Sequence, residues 1–167
     1  MREVDGVTER ESGPRRLVAV FASPVAEMLG RFGVELGFAV VVVEPDAARL
    51  DGTPRPHGDR LVSDLWAAEA DEHTDVLVTD HHRAEIGTLL QQALSGTSRW
   101  IGILGNPRHE GPHVAALREL GVPEEEIGRV HRPVGLNIGS RTPAEIAVAT
   151  LAGLIADRNG RPGGFAF

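Results

Sequence analysis

The sequence predicts an α/β fold, an open and mostly parallel sheet with helices on both faces in three layers. Apolar runs rich in β-branched residues, as at Phe38 to Val43, are typical of parallel strands buried on both faces. Stretches with helical spacing, as at Val25 to Leu36, lie between such runs. Because the two patterns alternate along most of the chain, we expect right-handed crossovers and a Rossmann-like arrangement.

The elements follow one another along the chain. We expect strands at 16–21, 38–43, 60–62, 75–79 and 100–104. We expect helices at 25–36, 65–70, 84–94, 112–120 and 142–157, with a short acidic turn at 123–127. Residues 1–15 are polar and lack apolar periodicity, so we expect a disordered leader there. Residues 16–158 would form a single domain, and residues 159–167 a flexible C-terminal tail.

Composition excludes several classes of function. The chain has 167 residues, of which 41% are hydrophobic, enough to bury one sizeable core. A formal net charge of −7 argues against a nucleic-acid partner, and the lack of cysteine excludes disulfides and a thiolate nucleophile. No apolar run reaches the roughly 18 residues of a membrane span, and the N-terminus is too polar for a signal peptide. We therefore expect a cytoplasmic protein with no membrane partner.

The segment from Val134 to Ala147, VGLNIGSRTPAEIA, joins a loop to a helix start that can be interpreted residue by residue. Thr142 is placed as N-cap, Pro143 as the first helical residue, and Glu145 three residues after the cap completes a capping box. The sequence therefore predicts that a helix begins at Pro143.

The loop before that helix is a candidate anion site. Gly135 and Gly139 permit positive φ angles, and Asn137 and Ser140 supply polar side chains between and after them. Free amides, the positive end of the helix dipole and the guanidinium of Arg141 would together favour a phosphate. The same residues would also make a well-formed loop-to-helix turn with no ligand.

Ligands of open parallel sheets bind at the carboxyl ends of the strands, so the residues after each strand are further candidates. These are Ala22, Ser23 and Pro24, then Glu44 and Asp46, then Thr79, Asp80, His81 and His82, and finally Gly105, Asn106, Pro107 and Arg108.

A dinucleotide would need a G-x-G-x-x-G turn after the first strand, so that the backbone can approach the pyrophosphate. The chain has FASPVAEML instead, with Phe21 and Ala22 where glycines would be needed. We expect this to weaken or reshape phosphate binding there. Glu44, about 20 residues further on, has the position of an acid that binds a ribose.

The histidines do not predict a metal site. His81 and His82 are adjacent at a strand end, where successive side chains should point to opposite faces. His109 and His113 are four residues apart, but Pro112 interrupts any helix that would align them.

No catalytic group is predicted either. Ser23 and Ser140 lack the G-x-S-x-G elbow of a hydrolase nucleophile. Asp80 with His81 is the one pair that we would test as acid and base.

Four segments of the chain resemble the Rossmann domain of the XdhC/CoxI family, accessory proteins for molybdenum hydroxylases such as xanthine dehydrogenase. The segments are SPVAEMLGRFGVELGFAVVVVEPD (Ser23 to Asp46), VLVTDHH (Val76 to His82), WIGILGNPRH (Trp100 to His109) and the stretch from Gly121 to Ala156. The last is the most specific, with position-by-position matches at His131, Pro133, Gly135, Leu136, Thr142, Pro143, Glu145, Ile146 and Ala147.

The resemblance implies a non-catalytic maturation factor that binds molybdenum cofactor (molybdopterin), assists its sulfuration and passes it to an apo molybdenum hydroxylase. The loop around Arg141 would then hold the pterin phosphate. Asn106, Arg108 and Asn137 would be hydrogen-bond donors to the phosphate or the pterin edges.

The chain departs from the family in three respects. It lacks the cysteine of the N-terminal domain that many members carry, so a separate chain with that domain, or a sulfurase, is an expected partner. ASPVA replaces the glycine-rich first turn, and Asn106 with Pro107 replaces the usual serine-arginine pair.

We also expect a homodimer. An NAD(P)-binding oxidoreductase or nucleotide-sensing domain, and a purely protein-binding domain, remain alternatives.

Overall fold

The computed structural model describes residues 15–51 and 58–165. The strands are β1 (Arg15–Val20), β2 (Phe38–Val43), β3 (Arg60–Val62), β4 (Thr74–Val78), β5 (Trp100–Ile103) and β6 (Val130–His131). The helices are α1 (Pro24–Glu35), α2 (Leu65–Ala68), α3 (Ile86–Ser95), α4 (Pro112–Glu119), α5 (Glu124–Ile127) and α6 (Pro143–Arg158), and a 3-10 turn covers Ala47–Leu50.

All strand pairs are parallel, and the strands lie in the order β3-β2-β1-β4-β5-β6. The predicted open parallel sheet is therefore confirmed. The order reverses between β1 and β4, and in such sheets the crevice beside this reversal is the usual position of a ligand.

Side chains of β1 alternate between two cores, one on each face of the sheet. Val18 and Val20 pack with buried residues of α2, α3 and α4. Leu17 and Ala19 pack with buried residues of α1 and α6 on the other face. All four are fully buried, as expected for a strand covered on both sides. None of the helices in the described ranges is long and apolar enough to cross a lipid bilayer.

At the amino end of β4, a buried carboxylate joins three elements. Asp75 accepts hydrogen bonds from Arg99 Nε at 2.7 Å and from Arg158 Nε at 3.0 Å. Arg99 also pairs with Asp157 at the end of α6. This network fixes the second half of α6 against the sheet.

The structure differs from the sequence prediction at short elements. β6 and the 3-10 turn were not predicted, because two to four residues carry no periodicity. Helix α3 begins at Ile86 and not at residue 84, since the preceding residues form a turn. Arg15 belongs to β1 and not to the predicted leader. The rest of that leader, residues 1–14, lies outside the described residues.

Candidate functional site

The loops that follow the strands meet along one side of the sheet, which we name the carboxyl edge (residues 21–23, 44–46, 79–85, 104–111 and 132–142). At the reversal of strand order, Ser23 Oγ and Thr79 Oγ1 are 2.8 Å apart. Thr79 Oγ1 also donates to the main-chain carbonyls of Val20 and Phe21, at 2.9 and 3.1 Å. The two hydroxyls, both predicted to bind a cofactor, thus join the loops after β1 and β4.

The turn after β1 has a positive φ angle of the kind that glycine favours, although no glycine is present there. Phe21 is fully buried and has a φ of 77°, in the left-handed region. The amides around it already have acceptors: Ala22 N donates to Glu44 Oε2 at 3.0 Å, and Ala26 N to Ser23 Oγ at 3.1 Å. Pro24 has no amide hydrogen. A pyrophosphate at this turn would have to displace the chain's own acceptors.

Glu44 is buried, and all of its acceptor positions are occupied. Oε1 accepts from Arg83 Nη2 at 2.8 Å and from the amide of Asp46 at 2.9 Å. Oε2 accepts from Arg83 Nη1 at 3.0 Å and from the amide of Ala22 at 3.0 Å. A carboxylate has about four acceptor sites. The predicted contact of Glu44 with a ribose would therefore require this ion pair to open.

The pKa of Glu44 reflects two opposed effects. Burial by itself raises the pKa, but the hydrogen bonds from Arg83 and from the two amides outweigh burial and hold the pKa below its ordinary value. The guanidinium of Arg83 also lies 4.2 Å from the ring centroid of Phe21. Arg83 was not among the predicted site residues, since its main partner is 39 residues away in sequence. The ion pair therefore stabilises the strained first turn, because Arg83 packs on Phe21 and Glu44 accepts the amide of Ala22.

The acidic and histidine candidates at the next loops have mainly local partners. Asp46 caps the 3-10 turn through Ala48 N at 3.1 Å, and Asp80 Oδ1 accepts from the amide of His82 at 2.9 Å. The prediction that His81 and His82 face opposite sides is wrong. Their ring centroids are 4.0 Å apart, because the chain turns there and does not continue as a strand.

The environment of His81 favours its neutral form. Burial lowers the pKa of His81, and the neighbouring charges of His82 and Arg132 lower it further. His109 and His113 do not share a helix, as predicted, because α4 begins at Pro112. Within residues 15–51 and 58–165, no three or more His, Asp or Glu side chains are grouped so that they could hold a metal ion.

Arg132 organises the loop after β5, and sequence reasoning missed it. Its Nη2 donates to the carbonyl of Asn106 and its Nη1 to that of His109, both at 2.7 Å. A Cβ on Gly105 would lie 2.6 Å from Arg132 Nε, so only glycine leaves room for the guanidinium. No sequence signal marked Arg132, because it lies between the family-like positions His131 and Pro133 without being one of the matched positions.

Beside this loop lies an open cavity of about 370 Å³. Arg132 and His113 line it, together with residues of α4 and α5. His113 is buried, and its Nδ1 has no hydrogen-bond partner. Burial, and then the charge of Arg132, lower the pKa of His113, so the ring is neutral near pH 7.

The capping box at the start of α6 is confirmed. Thr142 Oγ1 accepts from Glu145 N at 3.2 Å, and Glu145 Oε2 accepts from Thr142 N at 3.1 Å. Glu145 Oε2 also accepts from Arg141 N at 2.7 Å, and these bonds lower the pKa of Glu145. The expectation of free amides just before the helix start is therefore wrong for Arg141 and Thr142, because both amides already donate to the carboxylate of Glu145. The guanidinium of Arg141 remains exposed.

Gly135 and Gly139 have φ angles of 86° and 69°, as predicted, but they differ in surroundings. A Cβ on Gly135 would lie 2.9 Å from the carbonyl carbon of Ala149 and 3.0 Å from Thr150 N. No atom lies within 4 Å of a Cβ on Gly139. Gly135 thus brings the loop onto α6, whereas Gly139 serves the turn alone. Asn137 and Ser140 belong to the same loop, and the Asn137 side chain is exposed.

Unpaired arginines are concentrated at the carboxyl edge. All 17 basic residues of the chain are arginines. In the part of the chain that the structure describes, five of them have no carboxylate partner: Arg15, Arg108, Arg132, Arg141 and Arg161. Three of the five, Arg108, Arg132 and Arg141, lie in the loops after β5 and β6. The loops after β5 and β6 (104–111 and 132–142) therefore hold these three arginines against a single carboxylate, Glu110.

A six-stranded, all-parallel open sheet in this strand order, with helices on both faces, defines a Rossmann-like domain. The chain belongs to the XdhC Rossmann domain family, whose model matches residues 17–154. The resemblance found in the sequence is therefore confirmed.

The chain is also similar to individual proteins over most of its length. The chain is 31% identical over 157 residues to the uncharacterized protein YqeB of Escherichia coli, covering 89% of this chain and 28% of that protein. It is 26% identical over 148 residues to a probable xanthine dehydrogenase subunit of Bacillus subtilis, covering 86% and 43%. A solved structure of a xanthine dehydrogenase from Bacillus halodurans has a TM-score of 0.70 and 26% identity, covering 87% and 45%. The chain thus spans less than half the length of each of these proteins.

Proposed function

We propose that this domain binds molybdenum cofactor and serves the maturation of a molybdenum hydroxylase of the xanthine dehydrogenase type. Its family membership and the names of two relatives support the link to that class of enzyme. The proposed role is binding and transfer, with an apo molybdenum hydroxylase as the partner that receives the cofactor.

The observation that carries this proposal is the unpaired positive charge of Arg108, Arg132 and Arg141. Phosphate is the most strongly charged group of the molybdopterin skeleton, and a guanidinium matches it with two parallel hydrogen bonds. Arg132 donates two hydrogen bonds to carbonyls of the loop after β5. We therefore assign it the role of fixing this loop and of adding positive charge near the phosphate. Arg108 and Arg141 have no side-chain partner among the described residues, and we assign them the direct phosphate contacts.

The other donors at the carboxyl edge fit the polar edges of a pterin. The side-chain oxygen of Asn106 accepts a hydrogen bond from the main-chain amide of Arg108, at 2.9 Å. The side-chain nitrogen of Asn106 therefore remains free to donate. The cavity beside Arg132 has about 370 Å³, within the range of small-molecule sites. We propose that it holds the pterin part of the cofactor. The redox chemistry of the bound group would be the cofactor's own.

The dinucleotide alternative has less support. The amides of Ala22 and Ala26 are already bonded within the chain, and Pro24 has none to offer. Glu44 has no acceptor site left for a ribose hydroxyl. In the usual pose, a nicotinamide dinucleotide would therefore find no free amide at Ala22 or Ala26 and no free acceptor on Glu44.

Replacing Arg108 or Arg141 with alanine is expected to weaken the binding of molybdopterin about tenfold to a hundredfold, because each change removes a charge-assisted hydrogen bond to phosphate. The measurement is an anaerobic equilibrium titration of each purified variant. Arg60→Ala is the matched control, because Arg60 lies at the amino end of β3 and pairs with Glu69. The Arg60→Ala variant should bind molybdopterin as tightly as the unmodified protein. Unchanged affinity in both Arg108→Ala and Arg141→Ala would remove these arginines from the site.

A further inference from the structure

A second cavity lies between β5, β6 and the second half of α6, away from the reversal of strand order. It has about 240 Å³ and is open to solvent, and we name it the α6 cavity. Its wall includes Trp100, His131, Thr150 and Arg161, together with the segment 133–136. Its volume is below the roughly 300 Å³ at which sites for drug-sized ligands begin. A ligand of one or two rings fits this volume, and a dinucleotide does not.

The wall contains a buried hydroxyl without a partner. Thr150 is 1% exposed, and its Oγ1 has no hydrogen-bond partner, not even the carbonyl of the preceding helical turn. Burying an unsatisfied hydroxyl is costly, and such groups are uncommon in folded proteins. Gly135 packs directly on the backbone at Ala149 and Thr150, so the loop is held against this part of α6. Thr150 also lines the α6 cavity, so its unpaired hydroxyl is a candidate partner for a ligand that binds there.

An aromatic stack forms another part of the wall. The rings of Trp100 and His131 are stacked, with centroids 5.1 Å apart and planes inclined by 8°. The indole covers Gly102, where a Cβ would lie only 2.2 Å from it, so a side chain at this position would displace the indole. The indole lies between Gly102 and His131, while His131 itself is exposed. An aromatic ligand can extend this stack on the imidazole.

The charge at the rim of the α6 cavity is positive. Arg161 lines the cavity and has no carboxylate partner in the described part of the chain. Its main chain is fixed by a hydrogen bond from its amide to the carbonyl of Ala156, at 2.8 Å. Asp157 also lines the cavity, but Arg99 already neutralises it. A negatively charged group is thus favoured near Arg161.

We propose that the α6 cavity binds a small planar heteroaromatic carboxylate of one or two rings. The ring stacks at His131, the hydroxyl of Thr150 donates a hydrogen bond to the ligand, and Arg161 pairs with its carboxylate. This site is distinct from the proposed phosphate site at Arg108 and Arg141. The proposal for the α6 cavity does not depend on the proposed binding of molybdenum cofactor.

Nicotinate and quinaldate (quinoline-2-carboxylate) are suitable probes, with acetate and nicotinamide as controls that lack the ring or the charge. The chain has two tryptophans, and Trp66 is 65% exposed, so Trp66→Phe leaves Trp100 as the single tryptophan reporter. We expect nicotinate or quinaldate to change the Trp100 fluorescence saturably and the two controls to bind at least about tenfold more weakly. Calorimetric titration of the unmodified chain gives the same comparison without a substitution.

Thr150→Val distinguishes a ligand-binding hydroxyl from a structural one. Because the hydroxyl has no partner in the free protein, its removal should raise the melting temperature by about 2–4 °C while lowering probe affinity about tenfold. Thr88→Val, at an exposed position of α3, is the matched control and should leave the affinity unchanged. The proposal is overturned if neither probe binds saturably, or if Thr150→Val binds the probes as tightly as the unmodified chain.

Discussion

Replacing Gly135 with alanine is expected to lower the free energy of unfolding by about 2–5 kcal/mol. About 1–2 kcal/mol comes from placing a side chain in the left-handed region, where Gly135 has a φ of 86°. A further contribution of about 1–3 kcal/mol comes from overpacking, because the new Cβ would lie 2.9 Å from the backbone of Ala149. Helix backbone cannot move aside as a flexible side chain can. Urea unfolding of the purified variant measures the change.

Gly139→Ala is the matched control for this effect. Gly139 has a similar φ of 69°, but a Cβ added to it would enter open space. Its replacement should therefore cost only the backbone contribution of about 1–2 kcal/mol. Equal destabilisation in the two variants would contradict the close packing of Gly135 on α6.

Replacing Arg83 with alanine is expected to destabilise the fold by about 3–5 kcal/mol, because it leaves the buried carboxylate of Glu44 without its cation. The double variant Glu44→Gln/Arg83→Met should cost less than Arg83→Ala alone, since no unpaired charge remains buried. Arg60→Ala, which breaks an exposed ion pair with Glu69 and a hydrogen bond to the carbonyl of Ala67, should cost about 1 kcal/mol or less. A double variant less stable than Arg83→Ala would contradict this account.

The dependence of stability on pH gives a second readout of the same pair. In the unmodified chain, the folded-state pKa of Glu44 is below its ordinary value of 4.5. The pair therefore contributes stability above about pH 4.5, and this contribution is lost as the pH falls through the folded-state pKa. In Arg83→Ala, burial dominates and raises the pKa of Glu44. We expect the effect of Arg83→Ala on the free energy of unfolding to diminish as the pH is lowered from 7 to 5.

Most of the fold was predictable because its signals are local. The β-branched run at Phe38–Val43 defines β2 with the predicted bounds, and β3 also has the bounds predicted for it. The capping box fixes the start of α6 at Pro143, since cap, proline and glutamate all lie within four residues. The two-residue strand β6 depends on pairing with β5, and its own sequence carries no periodicity that could reveal it.

The candidate site was predictable only in part, because its contacts join distant residues. The pair of Glu44 and Arg83 spans 39 positions, and the hydrogen bond from Arg132 to Asn106 spans 26. Sequence patterns placed Glu44 and Asn106 at strand ends but gave no information on their partners. Even the local prediction at Arg141 was incomplete. The residue that makes the capping box, Glu145, also takes the amides that an anion would need.

Parallel anaerobic titrations distinguish the proposed binding of molybdenum cofactor from binding of a nicotinamide dinucleotide. The purified chain is titrated with molybdopterin, NAD(H) and NADP(H), and the affinity and stoichiometry are measured for each. We expect molybdopterin to bind near one per chain, and the dinucleotides to bind much more weakly, because the first turn and Glu44 are already occupied. Selective binding of a nicotinamide dinucleotide, or no binding of molybdopterin, would overturn the proposed function.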